Sequence, residues 1–378
     1  MKVIVTGLIA TYPIAGVLWD YVQYVVGLQR LGFEVYYVED SGLASYHEAP
    51  AAYLEKMLLW FLPELNGRWH YRTPENQSYG LTHAQIAKIA ADCTIFLNVS
   101  GGCLLRDEYM VVPKKVLIDT DPGLNQFVNF PKWDAAPGWQ GTRGYRGHDF
   151  FFTYAENLGK PFCILPDLGL IWQPTRPPVV MDLWKAAPGS GGWTTVMSWK
   201  PFQHYKSEIR YNGIAYGAKE MEFQKFQALP QRVSAPLEVA VGGPNAPVSE
   251  WKQLGWQVAD AAKISGDPTT YRDYIQNSRG EFSVAKNVYV ATHSGWFSCR
   301  SVCYLAAGLP VVVQDTGFSE FIPSGEGLFA FSTLEEAVGA IESVERDYAR
   351  HQKAARELAR TQFAAEVVLG NLLQRIGL

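Results

Sequence analysis

Eight consecutive residues, His293-Ser294-Gly295-Trp296-Phe297-Ser298-Cys299-Arg300, join a small-residue loop to the opening of a helix. Small side chains let backbone amides approach an anion, and the first turn of a helix adds unpaired N–H groups at the positive end of its dipole. Lys286, His293 and Arg300 could supply side-chain donors, and Ser298 can either cap the helix or bond a phosphate oxygen. Those are the needs of a diphosphate. The same residues also describe an ordinary helix cap beside a surface arginine, and local chemistry alone leaves the two readings level.

Carboxylates supply the second kind of chemistry. Asp20 follows Gly16 by one helical turn, on the same face of the first helix. The bare backbone of Gly16 could approach a phosphate; Asp20 is either a stabiliser of a helix start or a general base. Asp119-Thr120-Asp121-Pro122-Gly123 closes a strand. Carboxylates at the carboxyl end of a parallel strand face the ligand crevice, although Asp, Pro and Gly also form turns. Lys200 follows Trp199 at the end of a strand and offers another cation; Lys206 reads more simply as solvated. His148 reads as structural. No His/Cys group has zinc spacing. No Gly-x-Gly-x-x-Gly follows the first strand, which disfavours a nicotinamide dehydrogenase, and no Gly-x-Ser-x-Gly elbow marks a serine hydrolase.

The elements that position these residues alternate between strand and helix. Lys2–Thr6 is a β-rich run, residues 7–16 a loop, and Leu18, Tyr21, Val22, Val25 and Leu28 repeat at helical spacing until Gly32. Phe33–Val38 is the next strand. A helix over Ala51–Leu62 and strands at Thr94–Val99, Val116–Asp119 and Asp149–Tyr154 continue a doubly wound pattern. Prolines 161, 166, 174, 177, 178 and 188, followed by glycines, mark a break between residues 159 and 192. A second alternating set then runs through Trp193–Ser198, Leu237–Val241, a helix at Tyr271–Asn277, Glu281–Ala285 and Pro310–Gln314. A long, broken helical region over Thr333–Ala359 and a helix at Val367–Ile376 complete the chain.

Length and composition agree with two α/β domains: 378 residues exceed one ordinary core, and a hydrophobic share of 48% can fill two. Apolar runs are broken well before a membrane span, and the start reads directly as a strand rather than as a secretion signal. A net charge of −4 with dispersed Lys and Arg disfavours a nucleic-acid partner. Five cysteines without a Cys-x-x-Cys pair suit a reducing cytoplasm.

The segment from His293 resembles the donor-binding motif of nucleotide-sugar glycosyltransferases of the GT-B type. The plant-type motif begins His-Cys-Gly-Trp-Asn-Ser, against His293-Ser294-Gly295-Trp296-Phe297-Ser298 here. Ala307-Gly308-Leu309-Pro310-Val311-Val312 resembles the step into the next strand, and Gln314-Asp315-Thr316-Gly317-Phe318 falls where such enzymes touch donor-sugar hydroxyls. Two departures stand out. Two extra residues separate the histidine from Gly308, and the ribose-binding Glu of the family falls at Cys303, whose neutral thiol cannot hold a diol as a carboxylate does. The run from Tyr271-Arg272-Asp273-Tyr274 through Arg279-Gly280-Glu281-Phe282-Ser283-Val284-Ala285-Lys286 is similar to a bacterial set of largely uncharacterised glycosyltransferase-like proteins. So are Trp19-Asp20-Tyr21 and Asp119-Thr120-Asp121-Pro122-Gly123.

The resemblance implies an α/β protein of GT-B architecture, two Rossmann-like domains with an interdomain cleft. Residues 1–175 would be the acceptor-side domain, 176–192 a Pro/Gly-rich linker, 193–360 the donor domain, and 361–378 a helix crossing back to the first domain. It implies a donor-binding set of Gly16, Lys200, Lys286, His293, Ser294, Gly295, Trp296, Ser298, Arg300, Asp315, Thr316 and Gly317. Asp121 or Asp20 would deprotonate the acceptor in an inverting reaction; a retaining one needs no base. Glu156-Asn157, after the strand ending at Tyr154, reads as an acceptor-side loop or as a turn. The nucleotide-sugar is a substrate, so no cofactor is expected, no metal, and a small molecule or glycan as acceptor. Three alternatives stay open. The first is a GT-B-like binder without chemistry, and the second a nucleotide-sugar epimerase. The third is a GT-A-type transferase in which Asp119 and Asp121 grip a divalent ion.

Overall fold

The computed structural model describes residues 1–135, 144–199 and 209–378. Lys200 and Lys206 lie outside the described residues. The chain divides into two compact units. The first comprises Met1–Ala155, Asp167–Val180 and Ala365–Leu378; the second comprises Glu156–Pro166 and Met181–Ala364. The proline-rich stretch is therefore shared: residues 156–166 pack in the second unit and residues 167–180 in the first.

The first unit is built on an eight-stranded sheet. Its strands are β1 (Lys2–Thr6), β2 (Glu34–Glu39), β3 (Trp69–Arg72), β4 (Ser78–Gly80), β5 (Ile95–Val99), β6 (Lys114–Asp119), β7 (Phe150–Thr153) and β8 (Trp172–Pro174). They lie in the order β4-β3-β2-β1-β5-β6-β7-β8, parallel throughout except for the β3–β4 hairpin. Central strands such as Lys2-Val3-Ile4-Val5-Thr6 are buried almost along their length, as β-branched runs covered on both faces must be. Three helices matter here: α1 (Ala15–Arg30), α2 (Pro50–Phe61) and α3 (His83–Asp92). Gly32, with φ +87°, terminates α1 in the left-handed conformation a side chain would strain. A reciprocal Thr82–Gln85 capping box starts α3. The last helix, Ala365–Arg375, crosses α1 at Gly27, where a Cβ would meet Leu369 Cδ1 at 2.7 Å and Ala365 Cβ at 2.8 Å.

The second unit carries β9 (Trp193–Ser198), β10 (Ile209–Tyr211), β11 (Ile214–Tyr216), β12 (Leu237–Gly242), β13 (Gln257–Asp260), β14 (Gly280–Ser283), β15 (Val311–Gln314) and β16 (Leu328–Phe331). Six of these form an all-parallel sheet in the order β13-β12-β9-β14-β15-β16. Strands β10 and β11 form a separate hairpin whose turn residues, Asn212 and Gly213, both have positive φ. The core on one face is aromatic, with Trp193, Trp199, Phe223, Trp251, Trp256, Phe282 and Phe331 packed together.

Strand order reverses direction at β1 in the first unit, between β2 and β5, and at β9 in the second, between β12 and β14. In open parallel sheets, ligands bind beyond the carboxyl ends of the strands that flank such a reversal. The loops after β1 and β5, and those after β9 and β14, are thus the places where the fold invites chemistry.

Candidate functional site

After β14 the chain passes Val284-Ala285-Lys286, a short helix (Asn287–Ala291), and a loop that enters the helix Cys299–Ala306. Ser298 caps that helix, its hydroxyl accepting from Arg300 N–H at 3.2 Å. His293 is exposed and left-handed, with φ 50°. Ser294 turns inward, donating to the Tyr289 carbonyl and accepting from Trp296 N–H. Trp296 stacks on Tyr289 with ring centroids 4.3 Å apart, and Lys286 Nζ lies 5.2 Å from the same tyrosine ring.

The loop after β15 is laced to this one. Gly295 N–H donates to the Thr316 carbonyl at 2.8 Å, and Thr316 Oγ1 donates to the Trp296 carbonyl at 2.6 Å. Asp315 is turned on its own loop, accepting from Gly317 N–H at 2.8 Å and Ser319 Oγ at 2.6 Å. The structure thus gathers Lys286, His293, Ser294, Gly295, Trp296, Ser298, Arg300, Asp315, Thr316 and Gly317 at the carboxyl ends of β14 and β15.

Asn157 is what both loops close upon. It is fully buried, belongs to the second unit, donates its N–H to the Ser294 carbonyl at 3.1 Å and its side-chain amide to the Gly317 carbonyl at 3.3 Å. Gly295 has φ +79°, and a Cβ there would sit 3.0 Å from Asn157 N. The crowding that requires glycine at 295 is therefore Asn157 itself. Gly295→Val combines that contact with a backbone conformation β-branched residues avoid, and should cost about 1–3 kcal/mol in a chemical denaturation measurement, with or without any ligand.

Arg300 points inward. Its guanidinium donates to Glu281 Oε1, the Val196 carbonyl and Ser283 Oγ, each at 2.6 Å, and Glu281 is wholly buried. Three of its five N–H groups are thus engaged within the unit. Beside it lies a residue the sequence did not single out. Lys219 opens the helix Lys219–Phe223 just after β11 and is only partly exposed. Its ammonium is held well below its ordinary value, first by burial and then by the positive charges of Arg300 and Lys286, with Glu281 acting the other way. A sequence signal exists: the Asn212-Gly213 turn ends a hairpin, and small residues Gly217-Ala218 lead to a lysine at a helix start. A water-sized hollow of about 20 Å³ at the start of this helix is lined among others by Ser283, Trp296, Ser298, Arg300 and Thr316. The positive charges acting on Lys219 near a helix start are an arrangement a bound anion would relieve.

Cys303 is buried and donates to the Cys299 carbonyl within its own helix.

The remaining sequence-derived residues lie in the first unit. Gly16 is the second residue of α1 and Asp20 the sixth. Asp119 is fully buried and accepts from Asn125 and Gln126 at 2.6 Å and from Thr153 at 3.0 Å. Burial raises its carboxyl to about 6 against those donors. Asp119 is thus the anchor of the loop after β6, and the GT-A alternative loses one of its two ligands to that role. Among the described residues, no three His, Cys, Asp or Glu side chains gather as a metal set would. Asp121 stands partly exposed two residues on, its N–H donating to Asp119 Oδ1. A polar chain links the loops: Tyr21, next to Asp20, bonds Ser100 after β5, and Ser100 Oγ lies 2.7 Å from Thr120 Oγ1, next to Asp121. His148 is structural, bonded through Nδ1 to the Tyr145 carbonyl and through Nε2 to Asn98.

Two doubly wound units, the second with an anion-ready helix start at its strand reversal, define the GT-B class of fold. Residues 223–373 match the family model described as glycosyl transferase-like. The fold likeness to solved glycosyltransferases spans the chain. Anabaena Alr3699/HepE in complex with UDP and glucose shares 12% identity over 100% of this chain and 99% of its own, with a TM-score of 0.58. An α-glucosyltransferase in complex with UDP and a 13-mer DNA shares 10% over 100% and 99%, with a TM-score of 0.58. AviGT4, a glycosyltransferase involved in avilamycin A biosynthesis, shares 12% over 99% and 96%, with a TM-score of 0.54. No curated protein sequence matches the chain. Among the described residues no helix is long and apolar enough to cross a membrane.

Proposed function

We propose that the chain transfers a sugar from a nucleotide-sugar to a hydroxyl-bearing acceptor, with the donor diphosphate held by the second unit and the acceptor by the first. The observation that carries this reading is the Ser298-capped start of the Cys299–Ala306 helix at the carboxyl end of β14, with Lys219 near enough for the charges of Arg300 and Lys286 to act on its ammonium. Fixed cations and helix amides stabilise the charge that develops on a leaving diphosphate, and do so without a metal. In this reading Trp296 and the loop Asp315–Gly317 meet the sugar, a role supported by the hydrogen bonds that lace the loops after β14 and β15 together. Asp20 on α1 and Asp121 on the loop after β6, both in the first unit, are the carboxylates proposed to take the acceptor proton if the anomeric carbon inverts.

The test is release of nucleoside diphosphate across a panel of sugar nucleotides, with and without acceptor and with and without EDTA. UDP-sugars come first, because the HepE and α-glucosyltransferase complexes hold UDP. Release that survives EDTA is expected. Loss with EDTA and recovery with Mn²⁺ or Mg²⁺ would replace the metal-free mechanism. Tight binding without release under any acceptor condition would favour a binder, a reading to which the inward-facing Cys303 thiol lends the one specific observation.

A further inference from the structure

Glu39 ends β2 with no exposed surface, yet no lysine or arginine pairs with it in the hydrogen-bond set around its carboxylate. Four donors hold it instead. Oε1 accepts from Thr11 N–H at 2.6 Å and Thr11 Oγ1 at 2.7 Å. Oε2 accepts from Ala10 N–H at 2.8 Å and the Tyr37 hydroxyl at 3.1 Å. Three of these donors belong to the loop after β1, nearly thirty residues earlier in the chain. That loop is stitched in turn to the one after β2. Thr11 Oγ1 lies 3.1 Å from Ser41 Oγ, Ser45 Oγ donates to the Ala10 carbonyl, and Tyr46 N–H donates to the Thr11 carbonyl. On the outside, the rings of Tyr12 and Tyr46 stack 5.7 Å apart, and Tyr46 is 54% exposed. The result is an aromatic shelf at the carboxyl ends of β1 and β2, leading into α1 with Gly16 and Asp20.

We propose that Glu39 is a positioning residue whose ionised carboxylate holds the loops after β1 and β2 as one shelf for the acceptor, and that protonating it loosens them. The acceptor role of the shelf rests on the proposed function; the hold of Glu39 on the loops does not. Each carboxylate oxygen serves a backbone N–H, which cannot turn away as a hydroxyl can. A protonated carboxyl presents one hydroxyl oxygen, a poor acceptor, and a glutamine presents one NH₂, a donor facing a donor. Either change weakens a loop contact. Burial lifts Glu39 to about 7, with its backbone and hydroxyl donors pulling it back. The titratable groups that face it are phenols: Tyr37 on its own strand, Tyr21 on α1 and Tyr71 on β3. Arg72 and Arg106 are engaged by Asp40. The folded value lies above the unfolded one, so lowering pH through 7 favours the folded chain over any state that hydrates this group. The loosening meant here frees the loop donors while Glu39 stays buried; losing donors that lower its carboxyl raises it further, so protonation favours that local state without favouring unfolding.

The experiment is amide exchange at Ala10 and Thr11 in the full, ligand-free chain at pH 8 and pH 6, corrected for intrinsic rates, for the wild type and Glu39→Gln. Wild-type protection at both amides should fall at least about tenfold from pH 8 to pH 6, while amides in the middle of α1 keep theirs. In Glu39→Gln it should be low at both pH values. Equal wild-type protection at the two pH values, or a Glu39→Gln chain as protected as wild type at pH 8, would overturn the assignment. If the variant does not fold, the wild-type pH comparison decides alone. A chain with pH-dependent protection that never releases nucleoside diphosphate would uphold Glu39 and defeat the transferase reading.

Discussion

Arg300→Ala should lower the stability of the chain by about 3–5 kcal/mol in urea unfolding, the largest loss expected of any single change at the site. The reason is what remains behind. Glu281 is wholly buried on β14, and Arg300 is the cation that meets it, at 2.6 Å. Removing the guanidinium leaves the buried carboxylate without its cation and takes a donor from the Val196 carbonyl and from the Ser283 hydroxyl, which keeps Thr195 and Val284 as partners. Removing both charges together should cost much less. Arg300→Met with Glu281→Leu substitutes apolar volume for a desolvated pair, and such exchanges are often near neutral. A double variant as unstable as Arg300→Ala would show that the pair is not what the region depends on. Because Arg300 serves the core and the anion field at once, its truncation cannot by itself report on ligand binding.

Lys219→Met should behave in the opposite way, leaving the fold intact and weakening nucleoside diphosphate binding by about tenfold or more, the worth of one charge-assisted contact. The fold already disfavours the Lys219 charge, by burial and by the neighbouring Arg300 and Lys286, so the folded chain gains nothing from keeping it. A bound diphosphate reverses that balance by offering two negative charges to the same cluster. Binding should therefore draw a proton onto Lys219. Calorimetry in two buffers of different ionisation enthalpy, at pH between the lowered value of the free lysine and its ordinary one, should show proton uptake in the wild type and its loss in Lys219→Met. Proton release on binding, or uptake unchanged in the variant, would remove Lys219 from the site.

The sequence reading reached the alternating architecture because the strands that mattered to it, such as Lys2–Thr6, Trp193–Ser198 and Val311–Gln314, are apolar runs bounded by clear stops. It passed over β3 and β4, whose residues Trp69-His70-Tyr71-Arg72 and Ser78-Tyr79-Gly80 carry polar groups that only neighbours in space satisfy. Arg72 is an example, buried because Asp40 and Glu108 meet it from other segments. The loop His293–Ser298 was legible because its chemistry is local: small residues, a cap and a helix start. Its partners were not. Asn157 reaches Ser294 from 137 positions away, and Lys219 follows a hairpin that registers in sequence only as an Asn-Gly pair. Arg300 and Gly295 illustrate the converse. Their types fit anion binding, yet one is engaged by Glu281 and the other is required by Asn157, relations that no spacing along the chain encodes.

The central claim is that the start of the Cys299–Ala306 helix, with Lys219 and Lys286, holds a diphosphate. Titrating the wild type and Lys219→Met with a panel of nucleoside diphosphates and the matching nucleosides tests it most directly. The account predicts that at least one diphosphate binds about tenfold or more tighter than its nucleoside. It also predicts that Lys219→Met closes most of that gap while leaving nucleoside affinity unchanged. Equal weakening of nucleoside and nucleoside diphosphate, or a diphosphate that binds no better than its nucleoside to the wild type, would contradict it.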